Sequence, residues 1–425
     1  MTSAATPDLD RSTSGRSGSG SPSSGSPHFD AAAVDSLTAA DLVARGSQKW
    51  TTFPGALGAW VAELDLPVAP PITRALHGAV ENATFGYLPV DLVRDTARAC
   101  ADWYARTTGW ELDPSDVRLV PDVLTALRIT LDHVTGPGST AVVTTPAYMP
   151  FLTRPGLAGH GLATVPAAQD GTGRWVHDLD ALDATLAGID GPALLVLCNP
   201  WNPVGRVLSR EELLAIAEVV QRHGATVFSD EIHAPLLLDD VQHVPYASLN
   251  EVTAQHTVTA VSASKAWNLA GLKCAQIITT SPRLREILQR PATLTGYEPA
   301  TIGLVANVAA YDDGGPWLEG ARDYLRGNRD AFVGALAAAV PAAVPTHVEG
   351  TYLQLVNLTG VRSPSGAALP ADLGAFFREH AGVAITDGAL CGAPGHIRVN
   401  LGMPRPLLLE AAAALGRAVD GLDAP

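Results

Sequence analysis

The chain has 425 residues, 47% hydrophobic and 17% charged, which is ordinary for a globular protein and long enough for two or three domains with a sizeable core. Its 28 Lys and Arg against 43 Asp and Glu leave a net charge of −15, which argues against nucleic acid or an anionic membrane surface as the main partner. Cys100, Cys198, Cys274 and Cys391 contain no Cys-x-x-Cys pair, no apolar run is long enough to span a membrane, and no signal pattern opens the chain. A cytoplasmic protein with buried thiols and no metal site is expected.

Residues 1–27 are rich in Ser and Gly, cannot bury a core and are expected to be a disordered tail. Apolar Val117-Arg118-Leu119-Val120 precedes Pro121-Asp122-Val123-Leu124, which opens a helix whose first N–H groups suit a phosphate, as do those of any helix. Ser139 to Thr145 reads as a strand ending at Pro146, and Tyr148 follows it. The unbroken apolar run Ala193 to Cys198 reads as a strand buried on both faces. It leads into Asn199-Pro200-Trp201-Asn202-Pro203-Val204-Gly205, and a helix follows from Ser209 to about His223-Gly224, with Glu211 and Glu212 in its first turn. Ala225 to Asp230, Thr257 to Val261 and Gln276 to Thr280 are further strands. Strands spaced by helices predict βαβ units and a mostly parallel sheet. From about residue 320 the pattern changes to an Ala-rich helix (331–340), a strand (351–356), a helix (371–379) and a strand (396–400), which reads as a smaller α+β domain.

Only three lysines occur, Lys49, Lys265 and Lys273. Lys265 sits in the small, apolar run Ser262-Ala263-Ser264-Lys265-Ala266-Trp267-Asn268. Such an amine is paired, lies at the mouth of a site, or is used covalently as an imine-forming nucleophile; the plainer alternative is a surface lysine on a turn. Asp230 ends a strand, where an acid faces the ligand crevice of an α/β sheet or simply caps a helix. The two Asn-Pro pairs present Asn202 rigidly, or form a plain turn. Tyr148 lies at a sheet edge or in the core. Ser262, Ser264 and Lys273 make a plausible anion cradle. Arg398, in Ile397-Arg398-Val399, is either an edge residue facing water or a carboxylate clamp. Taken together these are the parts needed to hold pyridoxal 5′-phosphate and an α-amino acid.

Ser262-Ala263-Ser264-Lys265, Asn199-Pro200-x-Asn202-Pro203-Val204-Gly205 and Ser229-Asp230-Glu231-Ile232-His233 resemble the fold-type I pyridoxal-phosphate enzymes of the class I/II aminotransferase superfamily. With Lys49-Trp50, Trp60 to Asp65, Phe85-Gly86-Tyr87, Lys265 to Leu272 and Arg398-Val399-Asn400, the chain looks most like the MalY/PatB group of carbon–sulfur β-lyases, from about residue 30 to its end. The resemblance implies an α/β fold with a large domain (75–315) built on a seven-stranded-type sheet. A small domain (316–425) would be joined by an N-terminal segment (28–74). It implies that Lys265 forms the imine with the cofactor, Asp230 pairs with the ring nitrogen, Asn202 donates to the ring hydroxyl oxygen, and Tyr148 stacks on the ring. The backbone at Val123 and Leu124, with Ser262, Ser264 and Lys273, would hold the phosphate, and Arg398 would take the substrate carboxylate. Tyr87 would reach the cofactor phosphate of a neighbouring subunit, making a homodimer.

Three positions depart from the commoner aminotransferase pattern: His233 in place of tyrosine, Lys273 in place of arginine, and the bulky Trp201 before Asn202. The activity implied is β-elimination from L-cystathionine or another cysteine S-conjugate, giving a thiol, pyruvate and ammonia. Transamination of a small amino acid is the alternative fate of the same carbanion. A cofactor-binding regulatory protein is a further alternative, with no helix-turn-helix extension or basic patch behind it.

Overall fold

The computed structural model describes residues 29–423, so the expected disordered tail of residues 1–27 lies outside the described residues. Seven strands form the main sheet, in the spatial order Val117–Val120, Ala275–Ile278, Thr257–Val261, Thr226–Asp230, Ala193–Cys198, Thr140–Thr145, Gly161–Pro166. The four pairings from Thr257–Val261 to Gly161–Pro166 are parallel. Ala275–Ile278 runs antiparallel to both of its neighbours, so the sheet is mixed, with one reversed strand. The cause lies in the connection: between Val261 and Ala275 the chain makes only turns and the 3₁₀ turn Ala270–Leu272, with no helix to carry it back over the sheet for a parallel return.

Local sequence explains the central elements. Ala193–Cys198 is buried along almost its whole length, as its unbroken apolar run requires. The helix Arg210–Arg222 begins in a capping box, in which the Ser209 hydroxyl accepts from Glu212 N–H and the Glu212 carboxylate accepts from Ser209 N–H. It ends at Gly224, whose φ of +61° only glycine adopts at little cost.

A second sheet, Val344–Pro345, Leu353–Asn357, His396–Asn400, Thr386–Asp387, is antiparallel throughout. Helices Gly315–Ala339 and Arg405–Asp420 pack against each other beside it; the expected Ala-rich helix at 331–340 is the last part of the first of these. The N-terminal segment joins this region, because Leu57–Gly58 pairs in parallel with Val383–Ala384. The loop after Ala193–Cys198 meets the segment leading into Leu353–Asn357 at Gly205. Its φ is +85°, a Cβ there would lie 2.9 Å from Val348, and its carbonyl accepts from both Glu349 and Gly350 N–H.

Candidate functional site

The carboxyl ends of the main-sheet strands open into a cavity of about 180 Å³. Its lining includes Ala62, Val123, Leu124, Tyr148, Asn202, Asp230, His233, Ser264, Lys265 and Lys273. Strands running in one direction bring most of these distant residues together, because they leave the sheet at the same edge; Ala62 comes from an irregular segment of the N-terminal region.

Lys265 projects from the turn after Thr257–Val261, and its Nζ donates to the Ala62 carbonyl at 3.0 Å. Burial, then repulsion from the Arg398 guanidinium, pull its ammonium down to about 8, with Asp230 and Glu63 opposing. Asp230 ends its strand, 4% exposed, and accepts from Ile232 N–H at 3.1 Å. Burial pushes its carboxyl up to about 7, against the Ile232 hydrogen bond and the Lys265 charge. Burial, helped by Lys265 and Arg398, pushes His233 down to about 3, so the ring is neutral; its Nδ1 lies 3.0 Å from Thr351 Oγ1.

Arg398 is 2% exposed, so the alternative of a water-facing edge residue is excluded. Its Nη2 donates to the Trp60 carbonyl (2.8 Å) and Thr386 Oγ1 (3.1 Å), and its Nη1 approaches Asn202 Oδ1 at 3.4 Å. Its Nε is buried without a partner among the described residues, as a donor awaiting an anion would be. Because Asn202 Oδ1 faces Arg398, the amide NH₂ is left for other acceptors. The indole of Trp201 donates to the Pro146 carbonyl at 2.8 Å, tying the Asn202 loop to the turn that carries Tyr148. Trp201 therefore has a structural use that its sequence position did not disclose.

At the other end of the cavity the helix Val123–Ile129 presents its first N–H groups. Asp122 caps this helix by accepting from Thr125 N–H at 2.8 Å and pairs with Lys273 Nζ at 3.1 Å. Ser264 lines the cavity. Ser262, expected beside it, instead spends its hydroxyl on the backbone: it donates to the Cys274 carbonyl at 2.7 Å and accepts from Ser264 N–H at 3.0 Å. Its place is under the turn, not in the lining. Tyr87 is also absent from the lining and is fully exposed, near Phe85 and Val90, both largely exposed. Arg398 also lies outside this lining, as do Tyr352 and Thr351, which sequence reasoning missed: just before the strand Leu353–Asn357 they reach the lining residues Ala62 and His233, and nothing in Gly350-Thr351-Tyr352 marks a functional position.

This sheet with a strand-end cavity is the architecture of a fold-type I enzyme, and the comparisons agree. The sequence profile of aminotransferase class I and II matches residues 65–415, and the chain belongs to that family. It is 32% identical over 373 residues to a cystathionine beta-lyase of Corynebacterium glutamicum, covering 87% of this chain and 96% of that one. It is 33% identical over 299 residues to the cystathionine beta-lyase PatB of Bacillus subtilis, covering 70% and 76%. Among solved structures it is similar to a Corynebacterium diphtheriae protein provisionally named a PLP-dependent beta-cystathionase. The TM-score is 0.82 at 33% identity, over 92% of this chain and 98% of that one.

Proposed function

We propose that the chain is a pyridoxal-phosphate-dependent carbon–sulfur β-lyase that cleaves L-cystathionine or another cysteine S-conjugate to a thiol, pyruvate and ammonia. One observation carries this reading: a half-buried lysine pulled down to about 8 and a buried carboxyl pushed up to about 7 share one cavity. The likeness to cystathionine β-lyases over most of the chain favours elimination over amino transfer.

When bound, the cofactor supplies an aldehyde for the lysine and a cationic ring that stores the electron pair left at the substrate's α-carbon. Lys265, released as a free amine, takes the α-proton as general base. Asp230 would pair with the ring nitrogen, where a positive charge would favour its carboxylate and reverse the effect of burial. Asn202 would hold the ring oxygen through its amide, with neutral His233 beside it, and Tyr148 would pack on the ring. The N–H groups of Val123 and Leu124, the Ser264 hydroxyl and Lys273 hold the phosphate, with Ser262 fixing the turn under Ser264. The Arg398 guanidinium takes the substrate carboxylate. In this reading residues 75–315 form the cofactor-binding domain, and residues 316–425 with 28–74 the smaller one. The exposure of Tyr87 supports a homodimer in which each Tyr87 reaches the partner's phosphate site. The enzyme would work in the cytoplasm.

The test is incubation with L-cystathionine while pyruvate and free thiol are followed. Equal release of both is expected. Amino transfer to a keto acid with no thiol released rejects lyase in favour of transaminase.

A further inference from the structure

Residues 60–64 belong to no helix or strand, yet each of their carbonyls accepts from a side chain. Trp60 O accepts from Arg398 and Thr386 (2.8 and 2.9 Å), and Val61 O from Asn400. Glu63 O accepts from Asn400 and Lys49 (2.7 and 3.2 Å), and Leu64 O from Asn268 (2.8 Å). Ala62 O, at the cavity wall, accepts twice: from Lys265 Nζ at 3.0 Å and from Tyr352 Oη at 2.9 Å. A carbonyl has two lone pairs, so these two donors fill it.

Tyr352 is held in place from both sides. It is fully buried, and its ring meets His233 edge to face at 6.0 Å between centroids. The residue before it, Thr351, is buried at φ +72°, a left-handed conformation that a β-branched residue adopts only under constraint. That constraint is visible: Thr351 N–H donates to the Leu236 carbonyl at 2.9 Å, and its hydroxyl pairs with His233. The strained residue turns the chain so that the next side chain crosses from the second sheet to Ala62.

We propose that Tyr352 is a positioning residue for Lys265, its hydroxyl filling and fixing the one carbonyl against which the free amine rests. One N–H of the amine stays on Ala62 O, which orients the lone pair. When that lone pair takes the α-proton, the resulting ammonium keeps the same anchor. This proposal rests on the reading of Lys265 as the imine-forming base. The groups facing Lys265 are Arg398 from the second sheet, Asp230 and neutral His233 from the main-sheet strand end, and Glu63 from the irregular segment. Tyr352 alone acts on the lysine's own acceptor. Without its hydroxyl, Ala62 O becomes a better partner for the ammonium, which favours the charged amine.

The experiment is competitive labelling of the apoenzyme with acetic anhydride across pH 6–11, read by peptide mass spectrometry. Of the other two lysines, exposed Lys273 serves as the internal reference, while Lys49, its side chain 0% exposed, is out of the reagent's reach in the folded protein. In Tyr352→Phe the Lys265 midpoint rises by about half a pH unit, while the Lys273 midpoint stays. Placing 3-fluorotyrosine at 352, a stronger donor, moves the Lys265 midpoint the other way. In the loaded enzyme, Tyr352→Phe lowers kcat and moves its acid limb upward, with KM little changed. A Lys265 midpoint that moves with neither replacement overturns the positioning role. The parent reading is checked separately: if cofactor does not protect Lys265 of the unaltered protein from labelling, the imine assignment fails whatever Tyr352 does.

Discussion

Lys49 and Asp65 form an ion pair at 2.8 Å, with side chains 0% and 4% exposed. Asp65 also accepts from the Trp50 indole at 2.8 Å, and Lys49 Nζ donates to the carbonyls of Glu63 (3.2 Å) and Gly402 (3.1 Å). Burial pulls the Lys49 ammonium below its usual range, against Asp65, so the pair exists because both partners are present. Lys49→Met keeps most of the stem and leaves a buried carboxylate with one donor; breaking a buried pair in this way costs about 3–5 kcal/mol. A chain of 425 residues unfolds with roughly 0.9 kcal/mol of entropy per kelvin, so Tm falls by about 3–6 °C. Lys49→Met/Asp65→Asn removes the orphaned charge and keeps an acceptor for Trp50. It recovers about 2 kcal/mol relative to the single change, so the cycle is strongly non-additive. The assay is urea and thermal unfolding of the four proteins without cofactor. A loss under about 1 kcal/mol for Lys49→Met, or a double variant no better than the single, refutes the view that the pair is needed because it is buried.

Lys265→Ala is expected to abolish both turnover and the visible absorbance of bound cofactor; retained turnover excludes Lys265 as the base. At pH 7 an amine titrating at about 8 has about 300-fold more free base than one at 10.5, and that fraction grows as pH rises through about 8. Cofactor uptake by apoenzyme, followed by stopped-flow absorbance, should therefore rise about tenfold per pH unit below about 8 and level above it; a rise continuing to pH 10 contradicts the lowered amine. Asp230→Ala should weaken cofactor binding and slow exchange of the substrate α-proton, measured by NMR in deuterated water; an unchanged exchange rate contradicts its role. Tyr87→Ala and Lys265→Ala subunits, each impaired alone, should regain turnover when unfolded and refolded together if Tyr87 acts across a dimer; no recovery counts against the shared site.

The parts of the site that ride on strand ends were legible in the sequence. A buried parallel strand writes itself as an unbroken apolar run, as in Ala193–Cys198, and the residue after it falls at the crevice by topology. Asp230, Asn202, Tyr148 and Lys265 follow such runs. The edge strand Gly161–Pro166 was not legible, because only Val165 of it is buried and its burial pattern gives no periodicity. The backbone bonds of Ser262 were not legible, because hydroxyls near a lysine look alike, whether they face a ligand or cap a neighbouring carbonyl. Tyr352 was hidden for a deeper reason. Its contact with Ala62 joins residues 290 apart in sequence and depends on a left-handed Thr351, which no propensity predicts.

The same logic accounts for the polar residues in the apolar strand His396–Asn400. Side chains two apart on a strand share a face, so Arg398 and Asn400 point one way and Ile397 and Val399 the other. Ile397 and Val399 enter the hydrophobic core. Arg398 and Asn400 meet the carbonyls of Trp60, Val61 and Glu63. An irregular segment inside a protein leaves backbone acceptors that no ladder satisfies, and each such orphan costs about 1–3 kcal/mol. Buried Arg398, Asn400 and Lys49, with half-buried Asn268, remove that cost and hold Ala62 against Lys265. The polar face of this strand thus serves twice, in the folding of residues 60–64 and in the chemistry proposed at Lys265. An apolar substitution at Asn400 should therefore lower stability and cofactor affinity together, although Asn400 is absent from the cavity lining.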